Sequence, residues 1–118
     1  MHWSEQLHQF RCSTNYWPLV HGVELSDGAR YVMRAAHARW LMLVITRELL
    51  DMGTEYWHLR MLVTRLLNST HIKFIDAAGS NVCCCRVQAQ MLDARKFELR
   101  AAWTGNSWLI MLSKEDFR

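Results

Sequence analysis

The stretch that decides the expected fold is residues 35 to 52, AAHARWLMLVITRELLDM. Its apolar residues recur at the three- and four-residue spacing of a helix, and Gly53 follows as a C-terminal stop. Trp40, Leu43 and Val44 extend the apolar surface around the flank, so we expect this helix to be covered on more than one side. The sequence therefore predicts one long central helix.

After this helix the apolar pattern changes to a period of about two. Aromatic and aliphatic residues alternate in part with polar ones, and turn residues separate the segments, which is typical of half-buried strands. The predicted strands are residues 56–64, 71–75, 82–89, 97–101 and 108–112. Residues 92–102 remain open between a strand and a short helix, since Asp93 is a fair N-cap.

The first third of the chain contains shorter signals. Ser4 is a plausible N-cap, and we expect a short helix over residues 5–11 after it. Trp17 before Pro18 indicates a loop over residues 12–19. Two short extended segments flank Ser26-Asp27-Gly28, and Asp-Gly between such segments predicts a hairpin.

Together these elements predict an α+β fold in one domain spanning residues 1–118. We expect one long central helix packed on an antiparallel β-meander of four to five strands, with a short N-terminal helix and a hairpin. A length of 118 residues, half of them apolar, is typical of one globular domain.

Composition and charge indicate the cellular location that we expect for the protein. The longest apolar run is six residues, 40–45, whereas a membrane-spanning helix needs roughly 20. The N-terminus lacks a basic segment followed by an apolar one, so we expect no membrane partner and a cytoplasmic location. The net charge is +3, with eleven arginines against three lysines, but the arginines form no basic run.

Three consecutive cysteines, Cys83 to Cys85, stand in the predicted strand VCCCRV. Alternation places Cys83 and Cys85 on one face with Val87 and Ala89, and Cys84 on the other face beside Arg86. Free cysteine behaves as a small apolar residue, and one Cys-x-Cys without a second ligand pair is not zinc-site spacing. We expect a strand here and no metal.

Sequence motifs for catalysis are equally lacking. The six histidines do not form ligand pairs on a predicted helix, and we find no phosphate loop, nucleophile elbow or dinucleotide fingerprint. We therefore expect no catalytic residues, no cofactor and no enzyme activity.

Tryptophan is the most unusual residue in the composition, with six among 118 residues. Tryptophan and arginine are the residues most enriched at binding hot spots, and both also stack on nucleic-acid bases. We expect Trp40 and Trp57 to lie in the core. The candidate partner-binding residues are Trp3, Trp17, Arg30, Arg34, Arg86, Arg100 and Trp103.

Several short patterns resemble one protein family. They are Leu7-x-x-Phe10, the Tyr16-Trp17 pair, the Asp-Gly turn followed by Tyr31, and the Trp-Leu pair of the predicted helix. The chain thereby resembles a family of small stand-alone proteins encoded in bacterial genomes, phages and plasmids and described only as a domain of unknown function. The C-terminal half departs from the family, whose last strand runs into Pro-Ser-Glu where this chain has Leu-Ser-Lys-Glu.

The family has no established activity or catalytic residues, and the resemblance implies a mobile-element context. We therefore expect a small non-enzymatic binding protein of phage or mobile-element type that binds and inhibits a host protein or ribonucleoprotein complex, such as a CRISPR or other defence effector. The alternative is a single-stranded nucleic-acid-binding protein that stacks bases on tryptophan and arginine. A homodimer also remains open.

Overall fold

The computed structural model describes residues 2–53, 55–88 and 90–117, and of Phe117 the backbone only. The helical elements are a 3-10 helix (Trp3–Gln9), α1 (Asp27–Ala35) and α2 (Arg39–Met52). The strands are β1 (Cys12–Ser13), β2 (Trp17–Val20), β3 (Val23–Leu25), β4 (His58–Arg65), β5 (Ser69–Asp76), β6 (Asn81–Gln88), β7 (Lys96–Trp103), β8 (Trp108–Leu112) and β9 (Asp116–Phe117).

Seven of these strands form one mixed sheet in the order β2-β3-β8-β7-β4-β5-β6. The β3–β8 pair is parallel, and the other five pairs are antiparallel. The two short strands β1 and β9 pair in parallel beside it and connect the N-terminal segment to the C-terminal one. β2 and β6 are therefore the edges of the large sheet.

The predicted fold class is wrong, since this sheet dominates the structure and no long central helix exists within the described residues. The helical pattern over 35–52 divides, because His37 has a left-handed φ of 51° between α1 and α2 and leaves α2 only 14 residues long. The C-terminal strands do not form a simple meander either, because β7 pairs with β4 instead of β6. Pairing of β3 with β8 then joins the N-terminal strands to the same sheet.

The predicted hairpin at Ser26-Asp27-Gly28 is also wrong, because these residues begin α1. The Ser26 side chain accepts a hydrogen bond from the Ala29 N–H at 3.1 Å, which is an N-cap contact. The backbone at Gly28 packs closely against the side chains of Leu112 and Glu115, so a side chain at this position would clash. A Cβ on it would lie 2.5 Å from Leu112 Cδ1 and 2.8 Å from a carboxylate oxygen of Glu115.

Other local predictions agree with the structure more closely. The five predicted strand segments correspond to β4 to β8, with Ala89 outside the described residues, and residues 96–103 form a strand. The predicted N-terminal helix over 5–11 is the 3-10 helix, shifted two residues toward the N-terminus. The predicted loop over 12–19 instead contains β1 and the start of β2.

All three helical elements contribute buried side chains to a single core on one face of the sheet. That core contains α2 residues such as Ile45 together with the inward-facing residues Met61, Phe74 and Leu99 of β4, β5 and β7. Among the described residues, the helices pack on this core side, away from the opposite face of β4 to β7. Within the described ranges, none of the helices has both the length and the apolar character to cross a membrane.

Candidate functional site

One face of α1 carries an unusual set of polar and aromatic side chains. Asp27, Arg30, Tyr31 and Arg34 occupy positions i, i+3, i+4 and i+7, so they form a single stripe along the helix. The opposite side of α1 presents Ala29 and other small residues to the core. The helix is therefore amphipathic, with its polar and aromatic stripe facing outward.

This stripe forms one wall of an open groove of about 700 Å³. Phe10 and Trp17 also line the groove, and the ring centroids of Phe10 and Tyr31 lie 5.0 Å apart. The Arg30 guanidinium carbon lies 3.6 Å from the Trp17 ring centroid, a cation–π contact. We call this surface the Trp17 groove, and its main residues are Phe10, Trp17, Asp27, Arg30, Tyr31 and Arg34.

Asp27 orients the Trp17 ring. The indole N–H of Trp17 donates to Asp27 Oδ1 at 2.8 Å, and the Thr14 backbone N–H donates to Oδ2 at 3.1 Å. Burial alone would raise the pKa of Asp27, but hydrogen bonds from Trp17, Thr14 and Asn15 outweigh it and lower the pKa from its usual 3.8. The carboxylate is therefore charged at neutral pH and holds the ring in place.

The two arginines give the groove its positive character. Within the described residues neither Arg30 nor Arg34 makes an ion pair, although Arg30 stacks on Trp17. Asp27 directs its carboxylate oxygens at the Trp17 and Thr14 N–H groups. The groove can therefore accept an anionic group at its arginines while an apolar group packs on its aromatic rings.

A second pocket of about 690 Å³ adjoins the Trp17 groove. The two share Phe10 and Cys12, and the second is lined further by Leu7, Phe97 and Lys114. The two pockets therefore lie next to each other on the N-terminal segment.

The structure brings three of the seven predicted binding residues together, namely Trp17, Arg30 and Arg34. Trp3 lies elsewhere, 6% exposed, with its ring packed edge-on against Phe97 at 5.4 Å. Trp103 is half-buried and packs edge-on against the buried Trp108, with ring centroids 5.7 Å apart.

The remaining two arginines lie on the large sheet. Arg86 is exposed on the edge strand β6, across the sheet from the groove. Arg100 lies on β7, where its Nη2 donates to the Glu115 backbone carbonyl and lies 3.4 Å from an Asp116 carboxylate oxygen. Neither lines the Trp17 groove.

Two tryptophans expected in the core differ from each other. Trp40 is half-buried and packs against the core, as predicted. Trp57 is 69% exposed, so its predicted core position is wrong. It lies just before β4, and its backbone carbonyl accepts a hydrogen bond from the Trp103 N–H at 2.9 Å.

The cysteine strand has the predicted facing. Cys83 and Cys85 are half-buried and lie opposite the buried residues Phe74 and Ile72 of β5. Cys84 is exposed and lies opposite Lys73. Burial, with a contribution from a nearby carboxylate, raises the pKa of Cys85 to about 11. Across the described chain, His, Cys, Asp and Glu side chains do not gather in groups of three that could hold a metal ion.

Sequence reasoning missed Phe10, Asp27 and Tyr31 as groove residues. The missed signal was the helical spacing of Asp27, Arg30, Tyr31 and Arg34, which becomes visible once Ser26 is recognised as an N-cap. In comparisons with known proteins, no family model, no curated protein and no solved structure matches this chain.

Proposed function

We propose that this protein is a non-enzymatic binding protein that takes an acidic segment of a partner protein into the Trp17 groove. The observation that carries the proposal is the stack of Arg30 on Trp17 at 3.6 Å, with the Trp17 indole oriented by Asp27. Tryptophan and arginine are the residues that contribute most at protein interfaces, and here both are already positioned.

The charges of the groove indicate the chemistry of the partner segment. Arg30 and Arg34 lie one helical turn apart on α1 and face open space at the groove. A carboxylate can accept two parallel N–H bonds from one guanidinium group, whereas a lysine would be repelled. Phe10 and Tyr31 contribute a pair of contacting aromatic rings to the same groove. An acidic segment with one apolar or aromatic side chain complements both features.

The resemblance to mobile-element proteins supplies the biological part of the proposal. Small proteins in that context often act by binding host machinery, so the proposed partner is a host protein or ribonucleoprotein complex. The proposed outcome of binding is inhibition, for example of a defence effector such as a CRISPR complex.

Site-directed photocrosslinking tests the proposal. Ala35 is exposed and lines the groove, while Ala78 is exposed in the turn between β5 and β6. A photoreactive residue at Ala35 should crosslink a partner in host lysate, and the same residue at Ala78 should not. Equal crosslinking from the two positions would contradict the groove as the binding site.

A charge-reversal pair sharpens the test. Arg30→Glu with Arg34→Glu should abolish the Ala35 crosslink, because an acidic segment would meet two like charges. Arg39→Glu with Arg47→Glu makes the same change of charge at exposed positions of α2 outside the groove and should leave the crosslink intact. Circular dichroism of both variants checks that they are folded.

A further inference from the structure

The second surface of interest is the face of β4, β5, β6 and β7 that points away from the helices. Leu59, Met61 and Val63 of β4 are buried in the core, so the alternating residues of β4 point to the opposite side. The register extends that face across the neighbouring strands, since cross-strand partners share a face. We call this surface the outer face.

The outer face is strongly cationic. Its outward positions on the four strands hold five cationic side chains and one acidic side chain, Glu98, whereas the whole chain has 14 cationic and 11 acidic residues. The cationic residues are Arg60, Lys73, Arg86, Lys96 and Arg100.

Two of these cations already have partners. Arg60 forms an ion pair with Glu98 at 2.6 Å, and Arg100 contacts the C-terminal segment. Lys73, Arg86 and Lys96 make no ion pair within the described residues. Three strands therefore each present one uncompensated positive charge on the same open surface.

We propose that the outer face binds the phosphates of a single-stranded nucleic acid lying across β6, β5, β4 and β7. One register row carries Arg86 on β6, His71 on β5, Thr64 on β4 and Lys96 on β7. At about 4.8 Å between strands this row is about 14 Å long. A stacked single strand with one phosphate per about 3.4 Å places about four phosphates along it.

Charge complementarity favours a nucleic acid over an acidic protein at this surface. Protein interfaces are enriched in aromatic residues and methionine and depleted in lysine. The outward positions of β4 to β7, all of them within the described residues, include none of Phe, Tyr, Trp or Met, yet they hold two of the three lysines of the chain. Phosphate binding needs the cations and does not need the aromatic rings.

The geometry also favours a single strand over a duplex. Duplex recognition usually places a helix or a two-stranded ribbon in a groove, whereas this surface is the open face of a sheet whose helices lie on the other side. Because the face has no stacking platform, binding should be nearly independent of base sequence and should depend steeply on salt.

Fluorescence anisotropy with labelled 12-nucleotide dT and U single strands tests the inference on the intact protein. The test variant is Lys73→Gln with Arg86→Gln, and the matched control is Arg39→Gln with Arg47→Gln, which removes the same charge from α2. Each lost phosphate contact should reduce the slope of log K against log salt by about 0.7. The test variant should therefore lose about 1.4 from the slope and about 25-fold in affinity at 0.1 M salt.

The control variant should retain the slope and the affinity of the original protein. The inference is overturned if the original protein binds neither oligonucleotide, or if both variants lose affinity equally. It is also overturned if a duplex of the same length binds more tightly than the single strands. Binding of polyglutamate in place of the oligonucleotides would overturn it in favour of an acidic protein partner.

Discussion

Glu115 is a carboxylate with no exposed surface that lies at the N-terminus of α1. It accepts hydrogen bonds from Ser26 Oγ at 2.5 Å, from the Gly28 backbone N–H at 2.9 Å and from the Leu112 backbone N–H at 3.1 Å. A negative charge at this end of a helix also interacts favourably with the helix dipole. Glu115 therefore connects α1, the end of β8 and the C-terminal segment at one buried point.

Replacing Glu115 with alanine should destabilise the protein substantially. Hydrogen bonds to a charged group contribute about 1.5–3 kcal/mol each, and the buried Gly28 and Leu112 N–H groups would be left without an acceptor. Since the three bonds are not additive, we expect a loss of about 3–5 kcal/mol in the free energy of unfolding. That is a large share of the roughly 5–15 kcal/mol typical of a domain. Glu115→Gln should lose less stability, because the amide oxygen of glutamine can still accept hydrogen bonds.

Urea unfolding followed by tryptophan fluorescence measures both variants. The control is Asp116→Ala. The Asp116 side chain is 80% exposed, and the substitution removes only its ion pair with Arg100, whose charged atoms lie 3.4 Å apart. Exposed pairs contribute about 0–1 kcal/mol. If Glu115→Ala lowers the free energy of unfolding no more than Asp116→Ala does, the reasoning that a buried carboxylate holds the three segments together is refuted.

Three further predictions concern packing and titration. Gly28→Ala should destabilise by about 1–3 kcal/mol in the same urea assay, because its Cβ would lie 2.5 Å from Leu112 Cδ1; a gain of about 1 kcal/mol, as at an open helical site, would contradict this. Mass mapping after thiol labelling of the native protein at pH 8 should find Cys84 modified and Cys85 protected, because Cys84 is exposed and burial raises the pKa of Cys85 to about 11. Burial and two flanking arginines lower the pKa of His58 from 6.5, so the unfolded chain binds the proton more readily and stability should fall as pH drops below about 6.5. Urea midpoints at pH 8 and pH 5.5 should differ less in a His58→Gln variant than in the original protein.

The strands could be predicted from the sequence because their signals are local. Leu59, Met61 and Val63 recur at every second position of an aliphatic-rich segment, and the structure buries them on one face. The order of the strands has no such signal. Pairing of β7 with β4, and of β3 with β8, joins segments that are far apart along the chain. Periodicity reports which face of a strand is buried, but it does not report the neighbouring strand.

The hairpin error shows how a distant residue can decide a local structure. Ser26-Asp27-Gly28 satisfies the rule for a turn, but Ser26 also fits an N-cap. Glu115, 89 positions away from Ser26, accepts hydrogen bonds from Ser26 and Gly28 and completes the helix terminus. No pattern within the local window contains this carboxylate.

Exposure of the tryptophans was predicted from their positions in the chain, and this is a weak guide. Trp3 is near the terminus, yet it packs against Phe97 in the core, whereas Trp57 precedes a central strand and is 69% exposed. Arg30 and Arg34 could be identified as candidates by residue type. Their placement beside Trp17 depends on α1, which the sequence reasoning did not predict.

The two proposed surfaces occupy different parts of the sheet, so they should act independently. Trp17 is on the edge strand β2, and the outer face begins at β7, three strand spacings or about 14 Å away, and extends to Arg86 on the edge strand β6, six spacings or about 29 Å away. Both distances exceed the Debye length of about 10 Å at 0.1 M salt, so salt screens the charge at one surface from the other. A saturating dT 12-mer should therefore leave the Ala35 photocrosslink unchanged. If the oligonucleotide abolishes that crosslink, the nucleic acid occupies the Trp17 groove, and the arginines there bind phosphate instead of a carboxylate.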